Sequence, residues 1–229
     1  MYPPQQFIDG VYLLMDKPKG WTSFDVIAKI RGPLQRFTSN KKLKIGHTGT
    51  LDPMATGLLV IATGKFTKTI NALQELDKTY NGTITLGGIT PSYDAETPVS
   101  KTFDTSGITE KIIREAAKKF IGEISQVPPA YSSIKVDGLR SYKKAREGEE
   151  VILKPRTLSI YEFEILSIQI PEIAFRISAS KGTYIRSIAH DLGQALGCGG
   201  YLSELRRTKV GQFDIEQAQT IETFLQSLT

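Results

Sequence analysis

Residues 46–57, GHTGTLDPMATG, set a lone acid, Asp52, among three glycines. Pro53 restricts Asp52 to extended or polyproline backbone, while Gly46, Gly49 and Gly57 permit sharp turns and close backbone approach. A loop this constrained can hold one carboxylate in a fixed orientation, the posture that acid–base or nucleophilic work requires. Asp before Pro also commonly opens a turn, so a turn-capping role stands beside the chemical one. Neither the G-x-x-x-x-G-K-[ST] phosphate loop nor the G-x-G-x-x-G dinucleotide fingerprint is present. No second carboxylate accompanies Asp52, as a glycosidase pair would demand.

Charge surrounds this loop unevenly. Between Asp25 and Asp52 there is no acid, yet Lys29, Arg31, Arg36, Lys41, Lys42 and Lys44 all fall there. Such a block suits a polyanion, most readily nucleic acid, and equally suits a solvated basic helix end. The 229 residues carry a net +5, 40% hydrophobic and 23% charged residues, the profile of a globular protein. A single cysteine, Cys198, excludes an internal disulfide and a multi-cysteine zinc site, and two histidines, His47 and His190, argue against a His-rich metal centre. No apolar run approaches the ~18–20 residues of a membrane span, and MYPPQQFIDG lacks the apolar core of a signal peptide. These features lead us to expect a cytoplasmic protein with no membrane association and no metal.

The elements that must position these residues follow from periodicity. VYLLMDKP (11–18) reads as a buried strand stopped at Pro18 and Gly20. Thr22 or Ser23 then caps a helix with Phe24, Ile27, Ala28 and Ile30 on one face, and Gly32–Pro33 forms its exit. The glycine-rich loop leads into an apolar strand or the start of a helix, and KTYNGTITLGG alternates as a strand. EKIIREAAKKFIGEI (110–124) is an amphipathic helix with Ile113, Ala116, Ala117, Phe120 and Ile124 together. TLSIYEFEILSIQI and EIAFRISASKG form a hairpin turning at Pro171–Glu172, followed by a helix through TYIRSIAHDLGQALG that stops at Gly197. A short strand and a final helix end the chain. The polar 126–155 excursion is too long for an ordinary loop, which marks a functional arm or lid. No repeat or linker is visible, so the class expected is α+β in one domain.

These segments resemble the TruB family of tRNA pseudouridine synthases, which isomerise uridine 55 in the T-loop of tRNA. The likeness runs through GVYLLMDKPKGWTSFD, GHTGTLDPMATGLL, DKTYNG, the YDAET loop, QVPPAYSSIKVDGLRSYKKAREG, SKGTYIRSIAHDLG and LRRTKVGQF, in family order and over nearly the whole chain. It implies the pseudouridine synthase fold: a long mixed, mostly antiparallel β-sheet flanked by helices, with 126–155 as a thumb-like insertion. About twenty residues follow LRRTKVGQF, where bacterial members usually carry a PUA-like domain. We therefore expect a single catalytic domain over 1–229 without that appendage.

The resemblance also assigns roles. Asp52 aligns with the catalytic aspartate, which attacks C1′ or abstracts the 2′ proton. Arg186 pairs with Asp52 and keeps it ionised, and Tyr80 stacks on the target base and can assist removal of the C5 proton. His47 packs into RNA beside the extruded nucleotide. Lys17 belongs to a KP turn that braces the site. Asp94 belongs to an RNA-contacting loop, with a turn cap as the alternative. Tyr184 and Leu205 line the uracil pocket, which must stay dry to prevent hydrolysis. In the thumb, Lys135, Arg140, Lys143, Lys144 and Arg146, interleaved with Tyr131 and Tyr142, can neutralise phosphates and stack on bases. Isomerisation needs no cofactor, since no atom or electron comes from outside. The partner implied is the T-arm of tRNA, bound by a monomer. A tRNA-folding chaperone independent of catalysis is the alternative function.

Overall fold

A computed structural model describes residues 3–136, 138–149 and 151–228. In chain order the elements are α1 (Pro4–Asp9), β1 (Tyr12–Lys17), α2 (Ser23–Phe37), β2 (Ile45–His47), β3 (Thr56–Thr63), α3 (Ile70–Gln74), β4 (Lys78–Leu86), β5 (Gly88–Ile89) and β6 (Lys101–Thr102). There follow α4 (Glu110–Lys118), β7 (Gly122–Gln126), β8 (Lys135–Val136), β9 (Leu139–Arg140), α5 (Ser141–Arg146), β10 (Arg156–Gln169) and β11 (Glu172–Ala179). The last are α6 (Ile185–Ala195), β12 (Gly200–Val210), β13 (Phe213–Asp214) and α7 (Ile221–Gln226). The class is α+β, with a mixed, mostly antiparallel sheet. The chain divides into two compact units, residues 1–80 with 205–229, and residues 81–204.

In the first unit β3 is central. It pairs antiparallel with β1, Tyr12 opposite Ala62 and Lys17 opposite Gly57, and parallel with β12, Arg207 opposite Gly57. Seven of its eight residues are buried because both faces are covered, which is why TGLLVIAT reads as an apolar run rather than an alternation. One face packs on Phe7, Leu13, Met15, Val26, Ile27, Ile30, Leu34 and Phe224. On the other, Leu58, Val60 and Val210 meet Tyr12, Leu14, Leu76 and Phe213. Each such side chain contributes roughly 1.5–3 kcal/mol by leaving water.

Helix α2 departs from expectation in two ways. It continues through Pro33 to Phe37, because Leu34 is fully buried and the burial offsets the hydrogen bond lost at the proline. Its inward face is Val26, Ile27, Ile30 and Leu34, whereas Ala28 is exposed and Phe24 is 62% exposed. Thr22 is the cap, in a reciprocal box with Asp25, and Ser23 is released for another contact described below.

In the second unit the sheet order is β12-β4-β11-β10-β7. The β10–β11 hairpin closes with Gln169 opposite Glu172, at the turn expected, and β7 pairs antiparallel with β10. Helix α4 ends at Lys118, earlier than the periodicity suggests: Gly122 takes φ +107°, and Ile124 joins β7 opposite Leu158. Helix α6 buries Ile185, Ile188, Ala189 and Leu192 as expected, and Gly197 (φ +72°) follows its end. β12 is longer than the short strand expected, eleven residues, with Leu202, Leu205, Arg207 and Val210 buried along it.

Candidate active site

The first unit anchors the Asp52 loop on both sides of the acid. Ser23 Oγ accepts the Leu51 amide at 2.9 Å, fixing the residue before Asp52. The Pro53 carbonyl, just after it, accepts the Gly20 amide at 2.7 Å. Lys17 is fully buried and its Nζ lies 2.5 Å from the Trp21 carbonyl, 3.1 Å from that of Pro18 and 3.4 Å from that of Pro53. A buried ammonium must be paired or hydrogen-bonded, so this lysine ties the Pro18 turn to the loop. The Ala55 amide closes a turn on the Asp52 carbonyl at 3.1 Å, and the Asp52 side chain stays partly exposed.

A residue that sequence reasoning left out organises the rest of the loop. Arg207 is fully buried, its Nε donating to the Leu58 carbonyl at 2.8 Å and its Nη2 to the Gly49 carbonyl at 3.2 Å. It also hydrogen-bonds the Tyr80 hydroxyl, so one guanidinium joins the loop, β3 and the aromatic ring. Burial pulls the Arg207 guanidinium below its ordinary pKa, and Tyr80 opposes that shift. Gly57 must be glycine: at φ +100°, a Cβ there would stand 2.3 Å from the Arg207 carbonyl. His47 Nδ1 accepts the Gly49 amide at 3.3 Å. Burial, then the Arg207 charge, pushes the His47 pKa down, and the imidazole is neutral at pH 7. A readable signal for Arg207 existed. Adjacent strand residues face opposite ways, so of Arg206 and Arg207 one had to point inward. Arg206 turns the other way and forks onto Asp16, at 3.0 and 2.6 Å.

Leu205 is buried, and its carbonyl lies 3.4 Å from Thr56 Oγ1. The basic stretch also gathers here: Arg31, Lys41, Lys42 and Lys44 line an open groove of about 400 Å³ that reaches Gly46.

The second unit builds its site on a different bond type. Arg186, on the first turn of α6, is buried, and its Nη1 lies 3.4 Å from Asp94 Oδ2. The same nitrogen donates to the Ser92 and Tyr131 carbonyls at 3.2 and 3.1 Å. Asp94 is fully buried; its Oδ1 accepts the Glu96 amide at 2.9 Å and stands 2.5 Å from Ser92 Oγ. That is the turn cap, with an ion pair added. Gln126, also unforeseen, brackets Tyr184 at the start of α6: it accepts the Tyr184 amide at 2.9 Å and donates to its carbonyl at 3.1 Å. Ser187 Oγ donates to the Val127 carbonyl at 2.9 Å, so the entry to the 126–155 arm is bound to the helix that carries Arg186.

Within the arm, Lys135, Arg140, Lys143 and Arg146 are exposed and Lys144 is half-buried. Lys135 stands directly opposite Arg140 in the β8–β9 ladder, a like-charge pairing that costs stability unless an anion lies near. Arg146 lies over the Tyr142 ring at 5.5 Å. Among the described residues no cluster of three or more His, Cys, Asp or Glu could hold a metal ion, and no helix is long and apolar enough to cross a membrane.

A glycine-rich carboxylate loop on a mixed sheet, with no nucleotide fingerprint, narrows the class to one that comparison supplies. The family model described as TruB family pseudouridylate synthase (N terminal domain) matches residues 35–185, well over half the chain. A second, described as tRNA pseudouridylate synthase B C-terminal domain, matches residues 186–229. The chain belongs to the TruB family of pseudouridylate synthases, which are isomerases.

Its relatives include tRNA pseudouridine synthase B of Flavobacterium johnsoniae, 50% identical over 98% of this chain and 99% of the relative. The protein of that name from Chloroherpeton thalassium is 49% identical over 96% and 91%. Among solved structures, the fold is similar to a chain in a Cbf5-Nop10-Gar1 complex (TM-score 0.73, 31% identity, 99% of this chain). It is also similar to one in an H/ACA RNP bound to a substrate RNA containing 2′-deoxyuridine (TM-score 0.69, 30% identity, 98% of this chain). This chain spans 58% and 57% of those two chains.

Proposed function

We propose that this protein converts uridine 55 in the T-arm of tRNA to pseudouridine. The observation that carries the reading is an Asp52 loop anchored at Leu51 and Pro53, in a member of a pseudouridylate synthase family. Asp52 is the catalytic residue. Its carboxylate either attacks C1′ or takes the 2′ proton, and the N1–C1′ bond breaks. The uracil turns, and C5 bonds to C1′ as the carboxylate–C1′ bond breaks or as the 2′ proton returns; the C5 proton leaves and N1 gains one, so every atom is retained. Tyr80 stacks on the base and assists removal of the C5 proton, and its bond to Arg207 supports a fixed ring. Arg186 aims the Asp52 carboxylate. Asp94, being buried, acts through Arg186 rather than by touching RNA.

His47 fills the space left by the flipped nucleotide, and a neutral imidazole does so without burying charge. Lys17 braces the loop, while Tyr184 and Leu205 wall the uracil pocket. Lys135, Arg140, Lys143 and Lys144 take phosphates, for which the Lys135–Arg140 pairing argues, and the groove lined by Arg31, Lys41, Lys42 and Lys44 takes others. Residues 1–229 serve as one catalytic domain, acting as a cytoplasmic monomer with no cofactor. Family membership favours this isomerase over a folding chaperone.

The test is to map pseudouridine in tRNA after incubation with the wild-type protein and with Asp52→Asn. We expect modification at position 55 by the wild type. In the variant modification is lost, by more than about 10³-fold, while tRNA binding stays within about threefold. Pseudouridine at position 55 from Asp52→Asn, or free uracil released by the wild type, would overturn the proposal.

A further inference from the structure

Three groups on and beside α6 are unused by the chemistry above: His190, Asp191 and Tyr93. His190 lies four residues after Arg186, on the same face of the helix. Its ring stacks on that of Tyr93, with centroids 3.9 Å apart and planes 12° from parallel. Among the described residues its buried Nδ1 has no hydrogen-bond partner, so the ring face is the contact that matters. Burial also keeps this imidazole neutral.

Tyr93 occupies a conformation that tyrosine seldom adopts, left-handed at φ +63°. Something must hold it there. The neighbours of Tyr93 are the two residues that grip Arg186: Ser92 through its carbonyl and Asp94 through its carboxylate. On the far side of this turn the Tyr93 carbonyl accepts the Leu202 amide, and the Ala95 amide donates to the Leu202 carbonyl, each at 3.0 Å. The turn is therefore clasped between β12, by backbone bonds, and α6, by the aromatic stack and the ion pair.

We propose that His190 is a positioning residue of the isomerase: its stack on Tyr93 locks the strained turn that presents Ser92 and Asp94 to Arg186. This rests on the role given to Arg186 above. Loss of the stack lets Tyr93 relax toward ordinary backbone, and the Ser92 carbonyl and the Asp94 carboxylate shift together off the guanidinium. The effect belongs to the chemical step rather than to tRNA affinity, because no exposed cation is touched.

The experiment measures single-turnover pseudouridine formation at saturating tRNA, tRNA affinity, and amide hydrogen exchange of the free protein. His190→Ala is expected to slow the chemical step about fivefold, leave affinity within twofold, and speed exchange at Ala95. His190→Phe retains a flat ring and should restore both rate and protection. Ile177→Val, a core change of comparable stability cost, should leave the rate at the wild-type value. A full rate in His190→Ala beside an active wild type, unchanged exchange at Ala95, or failure of Phe to rescue would overturn the clasp alone. A wild type that forms no pseudouridine would instead overturn the reading of the site, and this inference with it.

Discussion

The two units bury cations by different means. In the first, Lys17 and Arg207 lie under the Asp52 loop and grip backbone carbonyls of Trp21, Pro18, Gly49 and Leu58. In the second, Arg186 takes two carbonyls and a buried carboxylate, Asp94. Carbonyls are dipoles fixed to the chain, so the first arrangement holds the shape of a loop. A carboxylate brings full charge and hydrogen bonds of its own, so the second sets the electrostatics around one side chain. The loop that offers an acid is thus held by geometry, and Arg186 is held by charge.

That contrast predicts unequal responses to truncation. Asp94→Ala should do the greatest damage, about 3–5 kcal/mol in urea unfolding, because it leaves Arg186 buried without its carboxylate. Modification of tRNA should fall by about 100-fold or more, and Asp94→Asn should lie between. Arg207→Met should cost less, about 1–2 kcal/mol. The Leu58 and Gly49 carbonyls lose donors, but a desolvated charge is removed with them. Equal losses at the two sites would break the contrast.

Asp191 provides a smaller, pH-dependent test in the second unit. Burial raises its pKa to about 6 from an ordinary 3.8, so the folded state binds the proton more tightly than the unfolded state. The penalty for ionising it is absent below pH 4, grows as pH rises through the interval to 6, and is complete above. Asp191→Asn should therefore stabilise the protein at pH 7.5 by about 1 kcal/mol, after allowance for partial exposure, and scarcely at pH 4. Urea titrations of both proteins at the two values check the sign. The smallest effect is expected at the exposed Lys135–Arg140 pair. The double alanine variant should keep its stability within a few tenths of a kcal/mol, while the slope of log affinity for tRNA against log salt falls by about 0.7–0.9 per charge removed.

Much of this was legible in the chain. Asp52 among glycines, the β10–β11 hairpin and the Gly197 stop are local events, written by proline, glycine and alternation within a few residues. Helix α2 past Pro33 was not, since the breaker is local while the burial of Leu34 that overrides it comes from β3 and α7, distant in sequence. Nor were the burial of Asp94 and the bracketing of Tyr184 by Gln126, which depend on partners 92 and 58 residues away. Arg207 lay between: strand alternation required one of two arginines to turn inward, but only the register with β3 decided which, and which carbonyls it met.

Taken alone, the order of residues determined the class of the fold, the acid, the positively charged stretches and the family, because side-chain type and short-range spacing are properties of the chain itself. Tertiary structure decided which charges go inside and what neutralises each one. A buried cation is tolerable only where folding delivers carbonyls or a carboxylate within about 3 Å, and those groups come from segments that meet only once the chain has folded.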